Sequence, residues 1–338
     1  GGWALGGGVY VANGGEFTMT GGSIADCAAQ ATNYSAYAWG GGIRSEGTTT
    51  LSGTAEIRDC HAKGGESYSR AGGGISDGGY GPLTISDNVT VTGCTANGSS
   101  DAVYLFDGSI SGGTFNGSVT NGKGGSISEG TFNGAVTNSG TITEGTFNGA
   151  VVNKGTISGG TFNGGVTNSG SGATVVAEVS NDTEFLEALA DKNVTMIKLM
   201  DGITVKATET VEGLTIDRAV TLVDGNRTSL CLNLPLTIAK GGALTLDDLE
   251  GFVNLYSYNG VVVNGSLTVG ANCGVIFYGE NASLVIHEGG TVTTVKTTDA
   301  EKASSGLLSL EAGAALTVNG TLVNNGRFYV SDMENLKK

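Results

Sequence analysis

The chain has 338 residues with 60 glycines, 2 prolines and 14% charged residues, against roughly 25% in an ordinary soluble domain. The 39% of hydrophobic residues excludes a disordered chain, and the abundance of Val, Ile, Leu, Thr and Gly predicts an all-β protein of short strands and tight turns. The net charge of −15 repels phosphate groups, which argues against nucleic acid or a membrane surface as a partner.

No segment approaches the ~18 consecutive apolar residues of a membrane span, and no basic and apolar signal region opens the sequence. The sequence starts with GGWALGGGVYV, without Met and in the middle of a repeat. We therefore expect a piece of a longer protein, whose flanking domains are among its partners.

The first elements, from about Gly6 to Ala96, repeat with a long period. Gly-Gly-Gly triplets start at residues 6, 40 and 72, and cysteines stand at residues 27, 60 and 94. Each period has three short apolar stretches, which predicts three strands that close one triangular coil of a solenoid. The polar segments 30–39 and 63–70 are predicted to be loops.

The next elements repeat the sequence GTFNG four times between residues 113 and 164. The predicted coil has about 15 residues, with Phe132, Val136 and Ile142 pointing inward. Since parallel coils stack ~4.8 Å apart, phenylalanine should lie on phenylalanine from coil to coil. Two asparagine ladders are predicted at the corners, at residues 116, 133, 148 and 163 and at residues 121, 138, 153 and 168.

A helix is predicted at residues 181–191, with Asn181 as N-cap and Glu184 completing a capping box. A solenoid needs a cover over the open end of its core, so this helix is expected to cap a second solenoid. Strands follow to the end, although the related units GALTL, GSLTV, ASLVI and AALTV are irregularly spaced. We therefore predict one solenoid over residues 1–172 and a second over residues 173–338.

The sequence also resembles known families. The units Gly7-Gly8-Val9-Tyr10, Gly41-Gly42-Ile43 and Gly73-Gly74-Ile75 resemble the GG-Ile repeats of polymorphic outer-membrane and adhesin-like proteins, although Cys replaces the usual Asn. The segment TVEGLTIDRAVTLVDG is similar to the entry into a pectin-lyase-like β-helix. The resemblance implies two right-handed parallel β-helices in tandem, with the capping helix between them, in an extracellular protein of a bacterial cell surface.

The five cysteines and two histidines are interpreted as structural and surface residues. No CxxC motif or Cys/His cluster exists, so we expect a row of buried, reduced thiols, with no metal and no cofactor. His61 and His287 are predicted to be separate surface residues.

Three alternatives to a non-catalytic protein stay open. A polysaccharide lyase or glycoside hydrolase would use the carboxylates of Asp247-Asp248, although no basic cluster accompanies them. A phage tailspike shares the expected architecture. An ice-binding solenoid would use the Thr and Ser rows that flank Ile127, Ile142 and Ile157.

Aromatic residues crowd the predicted outer loops of the first repeats. Such side chains stack on sugar rings in lectin-like surfaces. The candidate ligand-binding residues are Tyr34, Tyr37, Trp39, Tyr68 and Tyr80. We expect an adhesin-like or stalk protein that contacts a glycan or a host surface protein.

Overall fold

The computed structural model describes residues 2–31, 37–64, 72–170, 172–225, 228–247, 253–297, 305–331 and 336–337. The chain divides into two compact units, Gly1–Val175 (unit 1) and Val176–Lys338 (unit 2). Strands dominate the described ranges, and they contain one helix of nine residues. Within those ranges no helix is long and apolar enough to cross a membrane.

The strands of unit 1 are short, and most have two to four residues. They are β1 (Trp3–Leu5), β2 (Val9–Val11), β3 (Glu16–Met19), β4 (Ser23–Ala25), β5 (Ala28–Gln30), β6 (Tyr37–Trp39), β7 (Ile43–Ser45), β8 (Thr48–Leu51), β9 (Glu56–Arg58), β10 (His61–Lys63), β11 (Ile75–Asp77), β12 (Leu83–Thr92), β13 (Thr95–Ala96), β14 (Ser99–Leu105), β15 (Ser109–Phe115), β16 (Ser118–Asn121), β17 (Ser126–Phe132), β18 (Val136–Asn138), β19 (Thr141–Ile142), β20 (Thr146–Phe147), β21 (Val151–Asn153), β22 (Thr156–Ile157), β23 (Thr161–Phe162) and β24 (Val166–Asn168). The next strand, β25 (Thr174–Val179), spans the boundary between the units in sequence.

Three sheets run along unit 1, one on each side of the coils. Sheet A contains β2, β7, β11, β14, β16, β18, β21 and β24. Sheets B and C begin with β3–β8 and β4–β9, and then share the bent strands β12, β15 and β17. The pairing is parallel throughout these three sheets, so the parallel β-solenoid predicted from the sequence is confirmed. Its right-handed sense stays a prediction.

The short coils have the predicted core. Phe115, Phe132 and Phe147 are fully buried. From Phe115 to Phe162, successive ring centroids are 5.0, 4.7 and 4.8 Å apart, with planes within 11° of parallel. Each phenylalanine therefore contacts its equivalent in the next coil, as the repeated GTFNG predicted.

Both predicted asparagine ladders are confirmed. In the buried ladder, the Nδ2 groups of Asn121, Asn138 and Asn153 each donate to the Oδ1 of the next member, over 2.7, 2.8 and 2.9 Å. In the ladder at residues 116, 133, 148 and 163, the amides bond over 2.7 to 2.8 Å at the surface. The chain of amide bonds satisfies polar groups that the corners would otherwise leave unpaired.

The prediction of loops at residues 30–39 and 63–70 is wrong at the described ends of these segments, which belong to strands. Strands β5, β10 and β13 form a fourth, smaller sheet, sheet D, and β1 pairs with β6. Ala29, Ala38 and Ala62 are the middle residues of β5, β6 and β10, and they are buried together in a small apolar cluster. Alanine is too small to stand out in these polar segments, which is why the sequence suggested loops. Residues 32–36 and 65–71 lie outside the described ranges.

The strands of unit 2 follow the helix α1 (Asp182–Ala190). They are β26 (Met196–Leu199), β27 (Ile203–Lys206), β28 (Leu214–Ile216), β29 (Ala219–Asp224), β30 (Ser229–Asn233), β31 (Leu236–Ile238), β32 (Ala243–Asp247), β33 (Asn254–Ser257), β34 (Val261–Val263), β35 (Ser266–Val269), β36 (Gly274–Phe277), β37 (Ser283–Ile286), β38 (Thr291–Thr294), β39 (Leu307–Leu310), β40 (Ala315–Val318), β41 (Thr321–Asn324), β42 (Arg327–Val330) and β43 (Leu336–Lys337).

Every third strand of unit 2 belongs to the same parallel sheet. Sheet E contains β26, β29, β32, β35, β38 and β41. Sheet F contains β27, β30, β33, β36, β39 and β42, and sheet G contains β28, β31, β34, β37, β40 and β43. In its described residues, unit 2 is therefore a solenoid of six three-sided coils.

The irregular spacing of the strand motifs has a simple cause. Leu244 pairs with Leu267 in sheet E, whereas Leu284 pairs with Leu316 in sheet G. The four similar motifs thus come from two different sides of the coils, and their intervals do not measure one period.

Helix α1 caps the core of unit 2, as predicted. The Asn181 Oδ1 accepts the Glu184 N–H over 3.0 Å, while the Glu184 carboxylate accepts the Ser180 N–H over 2.7 Å. Its buried face, with Phe185 and Leu189, lines a small apolar cavity together with leucine and isoleucine side chains of the first coils. The helix therefore keeps water from that end of the core.

Candidate functional site

An aromatic cluster lies on the outer side of unit 1, where β1 pairs with β6. In β6, Ala38 points inward and is buried, so alternation turns Tyr37 and Trp39 outward. The Trp39 ring lies 5.4 Å from the Tyr37 ring and 6.2 Å from the Trp3 ring, centroid to centroid. Trp3 and Tyr37 are direct partners in the β1–β6 ladder.

A cation adjoins these rings on one side. The Arg44 guanidinium lies 4.6 Å from the centroid of the Trp39 ring, within the range of a cation–π interaction. Its Nε and Nη2 atoms donate to Glu46 Oε1 over 3.2 and 3.0 Å, and its Nη1 donates to Ser76 Oγ over 2.9 Å. Because Arg44 is almost fully buried and bonded on three sides, it fixes the position of the indole.

A tyrosine extends the cluster along sheet A. Tyr10 is the ladder partner of Arg44, and its hydroxyl donates to Glu46 Oε2 over 2.7 Å. This hydrogen bond to a carboxylate raises the pKa of the Tyr10 hydroxyl. We name the whole group the aromatic patch: Trp3, Tyr10, Tyr37, Trp39, Arg44 and Glu46.

The most exposed ring of the aromatic patch is one that the sequence reasoning missed. Trp3 is 68% exposed and Tyr10 is 45% exposed, whereas Trp39 is half-buried among its neighbours. A signal for Trp3 was present, since WALGGG at residues 3–8 and YAWGGG at residues 37–42 have the same spacing to the glycine triplet. A ligand would therefore meet Trp3 and Tyr10 first, with Trp39 behind them.

The other predicted ligand residues are Tyr34, Tyr68 and Tyr80. Tyr34 and Tyr68 lie outside the described residues. Tyr80 is 68% exposed in the turn between β11 and β12 and makes no ring contact with Tyr37 or Trp39. Of the three predicted residues that the structure describes, it brings Tyr37 and Trp39 together.

In unit 1 the cysteines form the predicted row, in which Cys60 and Cys94 are buried and Cys27 is half-buried. Cys27, Cys60 and Cys94 are free thiols just before the successive strands β5, β10 and β13 of sheet D. Each Sγ donates to the carbonyl oxygen two residues earlier, over 3.1 to 3.3 Å. Burial raises the pKa of the Cys27 thiol. The hydrogen bond between Cys60 and Cys94 raises the pKa of the Cys60 thiol and lowers that of the Cys94 thiol.

In the described ranges, the titratable residues singled out in the sequence do not form one cluster. His61 and His287 are both exposed and belong to different units, as predicted for surface residues. Asp247 is half-buried at the end of β32, and Asp248 lies outside the described residues. In the described ranges, no group of three His, Cys, Asp or Glu side chains is arranged to hold a metal ion.

A polar groove follows the bend between sheets B and C. Its volume is about 920 Å³, and its lining includes Gly130, Gly145 and the carboxylates of Asp87, Glu129 and Glu144. The two glycines have φ of +116° and +123°, so a side chain at the bend would be strained. The groove is therefore a consequence of the bend, and its acidic side chains add to the negative surface.

A family model matches part of the chain. Residues 176–305 match the model of a family described as "Putative pectate lyase-like adhesive domain". Among solved structures, the crystal structure of a TibC-catalyzed hyper-glycosylated TibA55-350 fragment matches at 15% identity, over 96% of this chain and 99% of that chain. Its TM-score of 0.21 is too low to carry an argument. No curated protein sequence matches the chain.

Proposed function

We propose that the chain is a non-catalytic, adhesin-like segment of an extracellular protein on a bacterial cell surface. It attaches by binding a glycan or a host surface protein through the aromatic patch of unit 1. The supporting observation is Trp3, a large apolar ring that is 68% exposed and yet held beside Trp39 and Tyr37. Folding gains little from such a ring, whereas tryptophan and tyrosine carry much of the energy at binding surfaces.

Two further observations support the proposal. The Arg44–Glu46 pair holds hydrogen-bonding groups beside the rings, and rings with nearby polar groups can bind both faces and hydroxyls of a sugar. The family matched by residues 176–305 carries the word adhesive in its description. Both units are stacks of parallel coils, which suits a segment that holds a ligand surface away from its anchor.

The test is retention of the labelled chain on an array of host glycans, mucins, matrix proteins and plant polysaccharides. We expect saturable binding that Trp3→Ala and Trp39→Ala each weaken by at least about tenfold. Tyr80→Ala serves as the matched control, because Tyr80 is equally exposed but lies outside the aromatic patch. An unchanged affinity in both tryptophan variants would overturn the role of the patch.

The second candidate function is a stalk without a ligand of its own. It is favoured by the regular coils between Gly113 and Ser169, whose repeated residues are explained by packing. Absence of binding to every component of the array would favour the stalk over the adhesin, provided that circular dichroism shows the chain to be folded with β structure. Cleavage of a polysaccharide on the array would contradict both.

A further inference from the structure

Three tyrosines of unit 2 meet on the outer side of sheet F. The Tyr258 and Tyr278 rings are stacked with centroids 5.8 Å apart and planes 21° from parallel. The Tyr256 ring lies 6.0 Å from the Tyr278 ring. We name these three side chains, together with Glu311, the tyrosine platform.

The register of sheet F places these side chains together. Ser257 pairs with Phe277, so Tyr258 and Tyr278 follow equivalent positions of two adjacent coils, and the Tyr278 N–H donates to the Ser257 carbonyl over 3.0 Å. Glu311 follows the same position in the next coil, where its N–H donates to the Phe277 carbonyl over 2.9 Å. One row therefore presents two phenol rings and then a carboxylate.

The core of unit 2 does not need these rings. The neighbouring Leu255, Ser257 and Phe277 point inward and are fully buried, while Tyr258 and Tyr278 are 41% and 39% exposed. In the preceding coil the row has Asn233 in place of a tyrosine. Since the solenoid does not repeat the rings from coil to coil, stacking of the coils does not account for them.

The carboxylate at the end of the row is fixed in place. Ser309 Oγ donates to Glu311 Oε1 over 2.7 Å, which orients the carboxylate and leaves its other oxygen to accept from a ligand. Burial, followed by the charge of Glu311 and the two other tyrosines, raises the pKa of Tyr278. The hydroxyl of Tyr278 thus stays protonated and remains a hydrogen-bond donor.

We propose that the tyrosine platform binds a neutral hexopyranose unit of a glycan. The apolar face of the sugar lies on the Tyr258 and Tyr278 rings, and Glu311 with the tyrosine hydroxyls bonds the sugar hydroxyls. A flat pair of rings beside a fixed acceptor matches a sugar, which has one apolar face and hydroxyls around its edge. Uronic acids and phosphates are disfavoured by Glu311 and by the net charge of −15.

This inference deepens the proposed adhesive function and rests on it for the expectation of a ligand, but it uses other residues in the other unit. The two tryptophans of the chain, Trp3 and Trp39, both belong to unit 1. The double variant Trp3→Ala/Trp39→Ala therefore lacks the core of the aromatic patch and has only tyrosine fluorescence. In that variant, binding at the tyrosine platform can be read directly.

The experiment titrates this double variant of the full chain with a soluble β-galactan, a β-glucan and an α-mannan, with polygalacturonate as the anionic counterpart. We expect at least one neutral polymer to bind and to change the tyrosine emission, and polygalacturonate to leave it unchanged. Adding Tyr258→Ala should weaken that binding about tenfold, whereas Tyr258→Phe, which keeps the ring, should change it less than about threefold. Glu311→Gln should weaken binding several-fold, since the charged acceptor is lost.

Val323→Ala, an exposed apolar residue of sheet E, is the control for surface changes and should have no effect. Binding by the wild type that disappears in the double tryptophan variant would overturn the platform and leave the adhesive function standing. No binding of any polymer by the wild type or the double variant would overturn the platform, and only the full array then decides the adhesive function. Equal affinity of the Tyr258→Ala variant and its folded parent would likewise overturn the platform.

Discussion

The 15-residue coils of unit 1 and the longer coils of unit 2 fill their cores differently. In unit 1, Phe115, Phe132 and Phe147 occupy one position in successive coils. In unit 2, an inward row of sheet E runs from Leu222 through Leu246 and Val269 to Thr294. In a row of identical residues, each pair of neighbours can make the same favourable contact, as the amides of a ladder do. In a mixed row, each pair of neighbours has to fit separately.

The outward positions differ in the same sense. In the short coils they carry threonine, serine and asparagine again and again, while sheet F of unit 2 has two stacked tyrosines on adjacent coils only. The first periods of unit 1 likewise have their own outward rings in the aromatic patch. Residues that repeat from coil to coil are therefore packing residues, whereas outward residues that depart from the repeat are candidates for binding.

Removing one ring from the phenylalanine row should have the largest effect. Phe132 is fully buried between two stacked neighbours, so Phe132→Ala should lower the free energy of unfolding by about 3–5 kcal/mol. Urea unfolding of unit 1, followed by tryptophan fluorescence, measures it. The matched control is Phe162→Ala at the half-buried end of the row, where a clearly smaller loss is expected. Equal losses would contradict a row held together by neighbours on both sides.

A buried carboxyl marks the passage from long to short coils. Burial raises the pKa of Asp101 in β14 to about 6, against a smaller opposing effect of its hydrogen bond from the Gly72 N–H. Because the pKa is higher in the folded state than the unfolded value of 3.8, stability should fall as pH rises from about 4 to 6. The full loss is about 3 kcal/mol.

Asp101→Asn should remove this loss and therefore raise the free energy of unfolding at pH 7, while leaving it nearly unchanged at pH 3.5. Unfolding curves at pH 3.5, 5 and 7 measure the difference between the variant and the wild type. A variant that is destabilised equally at all three values would show that the carboxyl is held by contacts that do not depend on its charge.

The two asparagine ladders allow a comparison within single coils. Asn138 is fully buried and bonds two other asparagines, so Asn138→Ala should cost about 1–3 kcal/mol of unfolding free energy. Asn133→Ala, in the surface ladder of the same coil, should cost less because water replaces its partners. The same urea experiment compares them, and a reversed order would contradict the dependence on burial.

The smallest effect is expected at the helix that caps unit 2. Asn181→Ala removes the acceptor for the Glu184 N–H and should cost about 1 kcal/mol. Asn181→Asp or Asn181→Ser, which also accept that bond, should retain most of the stability. Thermal unfolding followed by circular dichroism separates the variants, and an equal loss in all three would assign the effect to something other than the cap.

The sequence predicted the features that arise from its repeats. The phenylalanine row, both asparagine ladders and the thiol row followed from spacing alone, because each coil places the same residue at the same point. The capping helix followed from Asn181, Glu184 and the apolar face with Phe185. Sheet D was missed, since Ala29 and Ala62 bury little area and lie among polar residues.

The sites were predicted less completely than the fold. Tyr37 and Trp39 were expected to bind a ligand, but Trp3, Arg44 and Glu46 were not connected with them. The contacts of Trp3 and Tyr10 with this group depend on the pairing of β1 with β6 and of β2 with β7, between residues more than 30 positions apart. The tyrosine platform was missed for the same reason, because Tyr256, Tyr258 and Tyr278 share no motif and meet through the register of sheet F.

The most direct measurement compares stability and binding in a single variant, Trp3→Ala. If this exposed ring serves binding and not packing, the free energy of unfolding should change by less than about 0.5 kcal/mol. Affinity for the ligand found on the array should fall at least about tenfold in the same sample. A variant that loses stability but keeps its affinity would contradict the assignment of the aromatic patch.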